Sequence, residues 1–126
     1  MPVQEAIAKA DVVLAQLEVP IPTVVRTADL AHRYSRRMIL NPAPAPSHPL
    51  PEELLRHVDI LTPNETEAQS ICKAPDYSSP EAMGQALRAL GVPVVIITLG
   101  GEGALVQDES GPRRLPAYPV QAIDTT

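Results

Sequence analysis

Four short, nearly uninterrupted aliphatic runs, separated by stretches of helical periodicity, leave this chain few folds to choose from. The runs are 11–17 (DVVLAQL), 38–41 (MILN), 58–62 (VDILT) and 92–100 (VPVVIITLG). Runs of this length, rich in Val and Ile, suit strands buried on both faces of a sheet. In 21–36, Ile21, Val24, Val25 and Ala28 repeat at i, i+3, i+4 and i+7, while Thr23, Arg26, Asp29 and Arg33 fall outside that stripe. Met83, Ala86, Leu87 and Leu90 do the same in 80–90, where Ser79 can cap the helix, Pro80 open it and Gly91 close it. Ala68, Ile71 and Cys72 form a shorter stripe over 65–72. The implied order is β-α-β-α-β-α-α-β, an alternation that argues for a parallel sheet covered by helices. After Gly100, short strand-like pieces around a turn at 108–111 predict an antiparallel end to the same sheet. The expected class is α/β, with a mainly parallel central sheet in a single unit over 1–126.

Bulk properties remove several function classes. A chain of 126 residues, 44% hydrophobic and 20% charged, has enough apolar material for one core. Its net charge is −5, and its only adjacent basic pairs are Arg36-Arg37 and Arg113-Arg114. Nucleic-acid binders present a basic face and stacking aromatics; here aromatics are 2%, with three Tyr and no Phe or Trp. No nucleic-acid partner is expected. No apolar stretch approaches the roughly 18 residues of a membrane span, and the N-terminal segment, with Glu5 and Asp11, does not read as a signal peptide. Cys72 is the only cysteine, so no intrachain disulfide forms and a reducing, cytoplasmic setting is expected. Five of the 15 prolines fall in NPAPAPSHPLP (41–51). This stretch reads as a rigid surface loop between a strand and a helix, or as a polyproline ligand for another domain.

In open α/β sheets ligands bind beyond the carboxyl ends of the strands. Here those ends carry Glu18, then Asn41, then Thr62 to Glu67, then the glycine-rich TLGGEG at 98–103. A parallel sheet places them all on one edge. Asn64 and Glu67 have two readings. N-x-x-E is a capping box; equally, a capped helix start offers amides to an anion, with Glu67 holding the water shell of Mg²⁺ and Asn64 donating to a phosphate oxygen. TLGGEG lets the backbone approach a phosphate or ribose closely, or serves as a strand-to-strand turn; no G-K-[ST] follows, so it is not a Walker A loop. Glu18 reads either as a surface carboxylate or as an acceptor for a sugar hydroxyl. His32, His48 and His57 show no metal-ligand spacing and are expected at the surface. No G-x-S-x-G turn is present for serine catalysis.

The segments DVVLAQLEVP, MILNPAPA, VDILTPNETEA, VVIITLGGEGALV and AIDTT, in this order and spacing, resemble the ribokinases and the wider phosphofructokinase-B type of carbohydrate kinase over nearly the whole chain. The resemblance implies a three-layer α/β domain and ATP-dependent phosphorylation of the 5-hydroxyl of ribose. Other implied acceptors are another sugar or a nucleoside. By match to the family motifs, Asn64 contacts the nucleotide phosphates and Glu67 organises Mg²⁺ through water. Thr98, Leu99, Gly100, Gly101, Glu102 and Gly103 line the ATP site, and Glu18 bonds the sugar. Asp124 and Thr126 begin a monovalent-cation site, usually for K⁺. A homodimer is compatible with the complete family member.

The family's catalytic aspartate follows a glycine-rich turn after DTT, and neither is among these 126 residues, so no catalytic residue is assigned. The family's N-terminal sugar-binding motif and lid strands are also not among them. The expectation is a segment that is inactive alone, and a non-catalytic nucleotide-binding remnant is the alternative from a different class.

Overall fold

In the computed structural model, which describes residues 2–75 and 78–119, the aliphatic runs become strands and the periodic stretches become helices. The strands are β1 (Val12–Gln16), β2 (Arg37–Asn41), β3 (Ile60–Leu61), β4 (Val94–Thr98), β5 (Ala104–Asp108) and β6 (Gly111–Leu115). They form one sheet in sequence order, parallel from β1 to β4 and antiparallel through β5 and β6. The helices are α1 (Val3–Lys9), α2 (Ile21–Arg33), α3 (Glu52–Leu55), α4 (Glu65–Cys72) and α5 (Pro80–Ala89). The α/β class, the parallel sheet and its antiparallel end are as expected. Helix α1 was not anticipated, since its seven residues give the core only Ile7.

Local chemistry explains the boundaries. Ser79 Oγ accepts from the Ala82 amide at 3.1 Å and Pro80 starts α5, where its missing N–H costs nothing. Gly91 follows at φ 110°, a conformation that ends the helix without a Cβ penalty. Helix α2 ends at a turn where the Arg36 amide donates to Ala31 O at 2.7 Å. Helix α5 is tied to β6 by a bidentate pair, Arg114 to Glu81, at 2.7 and 3.0 Å.

Each parallel step joins neighbouring strands. Right-handed crossovers between successive neighbours put their helices on one face of the sheet. The burial agrees. Met38, Leu40, Leu61, Val95, Ile97 and Leu105 point into an aliphatic core closed by Val24, Ala28, Leu54 and Leu87 from the helices. The opposite face is more open: Leu14 is 68% exposed and Val12 48%. Strands buried on both faces, as the unbroken apolar runs suggest, are therefore not what the described residues show. An apolar run cannot report which of its faces is covered.

The proline stretch is a loop from β2 to α3. Pro42 and Leu50 are buried, the Ala43–Pro44 peptide is cis, and the loop is held by Leu17 N–H to Ala43 O (2.9 Å) and Ser70 Oγ–H to Pro46 O (2.8 Å). The histidines need a correction. His32 and His48 are exposed, but His57 is only partly so and stacks on His32, with ring centroids 4.2 Å apart and planes at 21°.

Candidate functional site at the carboxyl edge of the sheet

The parallel register brings the ends of β1 to β4 to one edge: Gln16 lies opposite Asn41, Leu40 opposite Leu61, and Leu61 opposite Val95. Beyond β3 the chain continues alongside β4. Thr98 donates its amide to Pro63 O at 2.9 Å, and Asn64 forms a parallel bridge with Thr98. The start of α4 and the end of β4 are thus stitched together by backbone.

The capping box is present in full. Asn64 Oδ1 accepts from the Glu67 amide at 2.8 Å, and Glu67 Oε1 accepts from the Asn64 amide at 2.9 Å. Asn64 is exposed, and Glu67 is buried to 8% exposure. A buried carboxylate on a hydrogen bond at a helix N-terminus sits where the helix dipole favours negative charge. A helix start also leaves its first amides without intrahelical partners, and the capping box engages only those of Asn64 and Glu67.

The glycine-rich stretch is both a turn and an open surface. It links β4 to β5 through one turn of 3₁₀ helix at Gly100–Glu102, closed by Leu99 N–H to Gly103 O (2.8 Å) and Gly103 N–H to Gly100 O (3.1 Å). The three glycines differ in role. A Cβ on Gly100 or Gly101 would meet nothing within 4 Å, so a ligand can approach there. A Cβ on Gly103 would lie 1.9 Å from Leu115 O, and its φ is +92°. The fold itself requires glycine at 103, whereas it does not at 101. Leu99 is buried, with 5% of the residue exposed. Thr98 and Glu102 are exposed.

Asn64, Glu67 and the 98–103 turn form one group. Glu18 is on the same edge but apart from them, exposed in the bend after β1. It is three strands from β4, or about 14 Å at the usual strand spacing. Next to it, Leu17, Ile21 and the proline loop from Pro44 to Leu50 line a cleft of about 220 Å³. Sequence reasoning treated that loop as a connection and missed it as a wall; the buried Pro42 and Leu50 carry no pattern that announces it. Asp124 and Thr126 lie outside the described residues. Among the described residues no three His, Cys, Asp or Glu side chains gather as a metal cluster. One carboxylate, a helix N-terminus and an open glycine turn form a donor set that fits Mg²⁺ only when phosphate oxygens complete its shell. Cys72 is partly buried, and burial pushes its thiol pKa up, away from nucleophilic use.

The profile of pfkB family carbohydrate kinases matches residues 3–126. The chain belongs to that family. It is 40% identical over 125 residues to the ribokinase of Staphylococcus aureus, covering 98% of this chain and 40% of the relative. It shows the same identity to the bifunctional ribokinase/ribose-5-phosphate isomerase A of Fructilactobacillus sanfranciscensis, covering 98% of this chain and 23% of that one. Among solved structures, Arabidopsis thaliana ribokinase complexed with ribose and ATP superposes with a TM-score of 0.85 at 31% identity, over 98% of this chain and 40% of its own. The pfkB chain described here therefore spans less than half the length of these relatives. Among its described residues no helix is long and apolar enough to cross a membrane.

Proposed function

We propose that this chain is the nucleotide-binding part of an ATP-dependent sugar kinase, with ribose phosphorylated at O5. The observation that carries the proposal is the join between α4 and β4. The Asn64–Thr98 bridge sets a helix N-terminus beside the open Gly100-Gly101 turn at the carboxyl edge, where α/β sheets bind ligands. The likeness to ribokinases over 98% of the chain supports ribose as the acceptor.

Phosphoryl transfer depends on positioning and on neutralising the phosphate charge. On this reading the α4 amides and the Asn64 amide group face the phosphates, and the nucleotide lies along 98–103. Glu67 would hold Mg²⁺ through water, and the bound ion would neutralise phosphate charge. Glu67 also keeps the helix start rigid through its bond to the Asn64 amide. Glu18, about three strands away, hydrogen-bonds a sugar hydroxyl beside the proline-walled cleft. Asp124 and Thr126 contribute to a K⁺ site. The setting is cytoplasmic and the complete protein is a homodimer. The 126-residue chain by itself binds Mg·ATP without turning it over.

The test is a complete kinase that carries this segment, assayed with ATP against ribose, deoxyribose, fructose and adenosine. The proposal expects ribose to give the highest kcat/KM and Glu18→Gln to lower it for sugar while leaving the KM for ATP unchanged. A preference for a nucleoside or for fructose would refute the ribose assignment. Loss of ATP use on Glu18→Gln would refute the division of roles.

A further inference from the structure

The opposite edge of the sheet holds a second cleft, of about 640 Å³, at the amino ends of β1, β2 and β3. Ligand sites have this size. Three arginines line it: Arg36 and Arg37 at the start of β2, and Arg56 after α3. The stacked His32 and His57 form one wall. This is the reverse of the chain's overall acidity, at net −5.

The partners of the arginines set this cleft apart. Elsewhere, Arg26, Arg33, Arg113 and Arg114 each meet a carboxylate, and Arg88 donates to Pro93 O. Among the described residues, the three cleft arginines form no ion pair. Arg36 is anchored by one bond to Ala8 O, and its Nε is buried without a partner. Of the two carboxylates in the cleft, Asp59 is already engaged, accepting from the Met38 amide at 2.7 Å. Asp11 is exposed at the rim. Guanidinium groups with free donors on one concave surface suit a multiply charged oxyanion, which they bind through charge-assisted, bidentate hydrogen bonds.

We propose that this cleft binds a phosphate group, as inorganic phosphate or as the phosphate of a small ester, between Arg37, Arg56 and the His32–His57 pair. The imidazoles fit the role. Burial, then the neighbouring His32, hold the His57 pKa below its ordinary value, with Arg56 acting in the same direction and Asp29 and Asp59 against it. A phosphate in the cleft supplies the missing negative charge and lets the ring donate. The site lies across the sheet from Asn64 and Thr98 and is independent of the kinase reading.

The chain has three histidines, which makes the test direct. The imidazole C2 protons are followed by NMR in the 126-residue chain as phosphate is added at constant pH, with chloride at matched ionic strength as the control. The expected result is a saturable shift of the His32 and His57 signals with His48, in the proline loop, unmoved. Binding should weaken about tenfold or more in Arg37→Gln/Arg56→Gln, the scale of a lost charge-assisted bond, and persist in Asn64→Ala. Both arginines are exposed, so the double variant keeps the fold. No shift, a shift that does not saturate, one shared with His48, or one retained by the double variant would overturn the proposal. Repeating the titration with glycerol phosphate assigns the source: tighter binding than inorganic phosphate points to a phosphate ester, weaker binding to the free ion.

Discussion

Replacing Asn64 by Asp separates the two roles of the helix start. The Asn64 side chain offers one acceptor and one donor group. The acceptor, Oδ1, caps α4 through the Glu67 amide at 2.8 Å. The amide donors face solvent and have no partner within the capping box. Asp keeps the acceptor, ranks with Asn at this position and adds charge favoured by the helix dipole. It removes the donors and sets a negative charge against any phosphate. Ala removes everything. In urea melts, Asn64→Asp should stay within about 0.5 kcal/mol of the parent, while Asn64→Ala should lose about 1–2 kcal/mol. The upper part of that range applies because Glu67 is buried to 8% and its amide would be left without its bond. ATP affinity, measured by calorimetry in a complete kinase carrying this segment, should order differently. Asn64→Asp should lose about 2–3 kcal/mol, on the order of a hundredfold, and more than Asn64→Ala. If Asn64→Asp bound ATP as the parent does, the asparagine would be a cap and nothing more, and the phosphate role would fall.

Three further perturbations test other parts of the account. Gly103→Ala should destabilise the chain by about 3 kcal/mol or more, since φ is +92° and the new Cβ would lie 1.9 Å from Leu115 O, whereas Gly101→Ala should leave stability nearly unchanged; paired urea melts decide this. The bidentate bond from Arg113 holds the Asp108 carboxyl pKa down to about 2. The folded pKa lies below the unfolded one, so this pair's contribution is present above roughly pH 4 and fades as pH falls toward 2, and an NMR titration of Arg113→Ala should show Asp108 returning toward its ordinary value. Leu14→Lys, at a site 68% exposed on the open face, should leave the melting curve almost unmoved and reduce concentration-dependent association in sedimentation; unchanged association would mean this face does not mediate contact between chains.

Much of the architecture was legible because local signals agreed with the packing. Ser79, Pro80 and Gly91 bound α5 as their chemistry demands, and the Val24–Ala28 stripe of α2 faces the core. What failed to show was information held between elements. Ile60 and Leu61 alone make β3, since pairing with β2 and β4, not the length of the apolar run, decides where a strand stops. The His32–His57 stack needs α2 and the end of α3 to meet, and no spacing along the chain encodes that contact. The unequal glycines of TLGGEG are of the same kind: Gly103 is crowded by the backbone of residues 115–117, above all by the carbonyl of Leu115, twelve residues on and brought back across a hairpin.

The same reasoning explains why Asn64-x-x-Glu67 admits two readings that do not exclude each other. A capping box satisfies the Asn64 and Glu67 amides through side-chain oxygens. A helix start leaves four amides without intrahelical partners, so two of them remain available to solvent or ligand. A rigid box fixes the direction in which those remaining donors point. Because the Asn64–Thr98 bridge ties that start to the end of β4, the helix start lies at the sheet's carboxyl edge, where the chain runs on into Gly100 and Gly101 and a Cβ would meet nothing. On the proposed reading, the capping that holds the fold also pre-orients the anion site. For that reason the informative substitution here is Asn64→Asp, which keeps the cap while it removes the donors and sets a charge against phosphate.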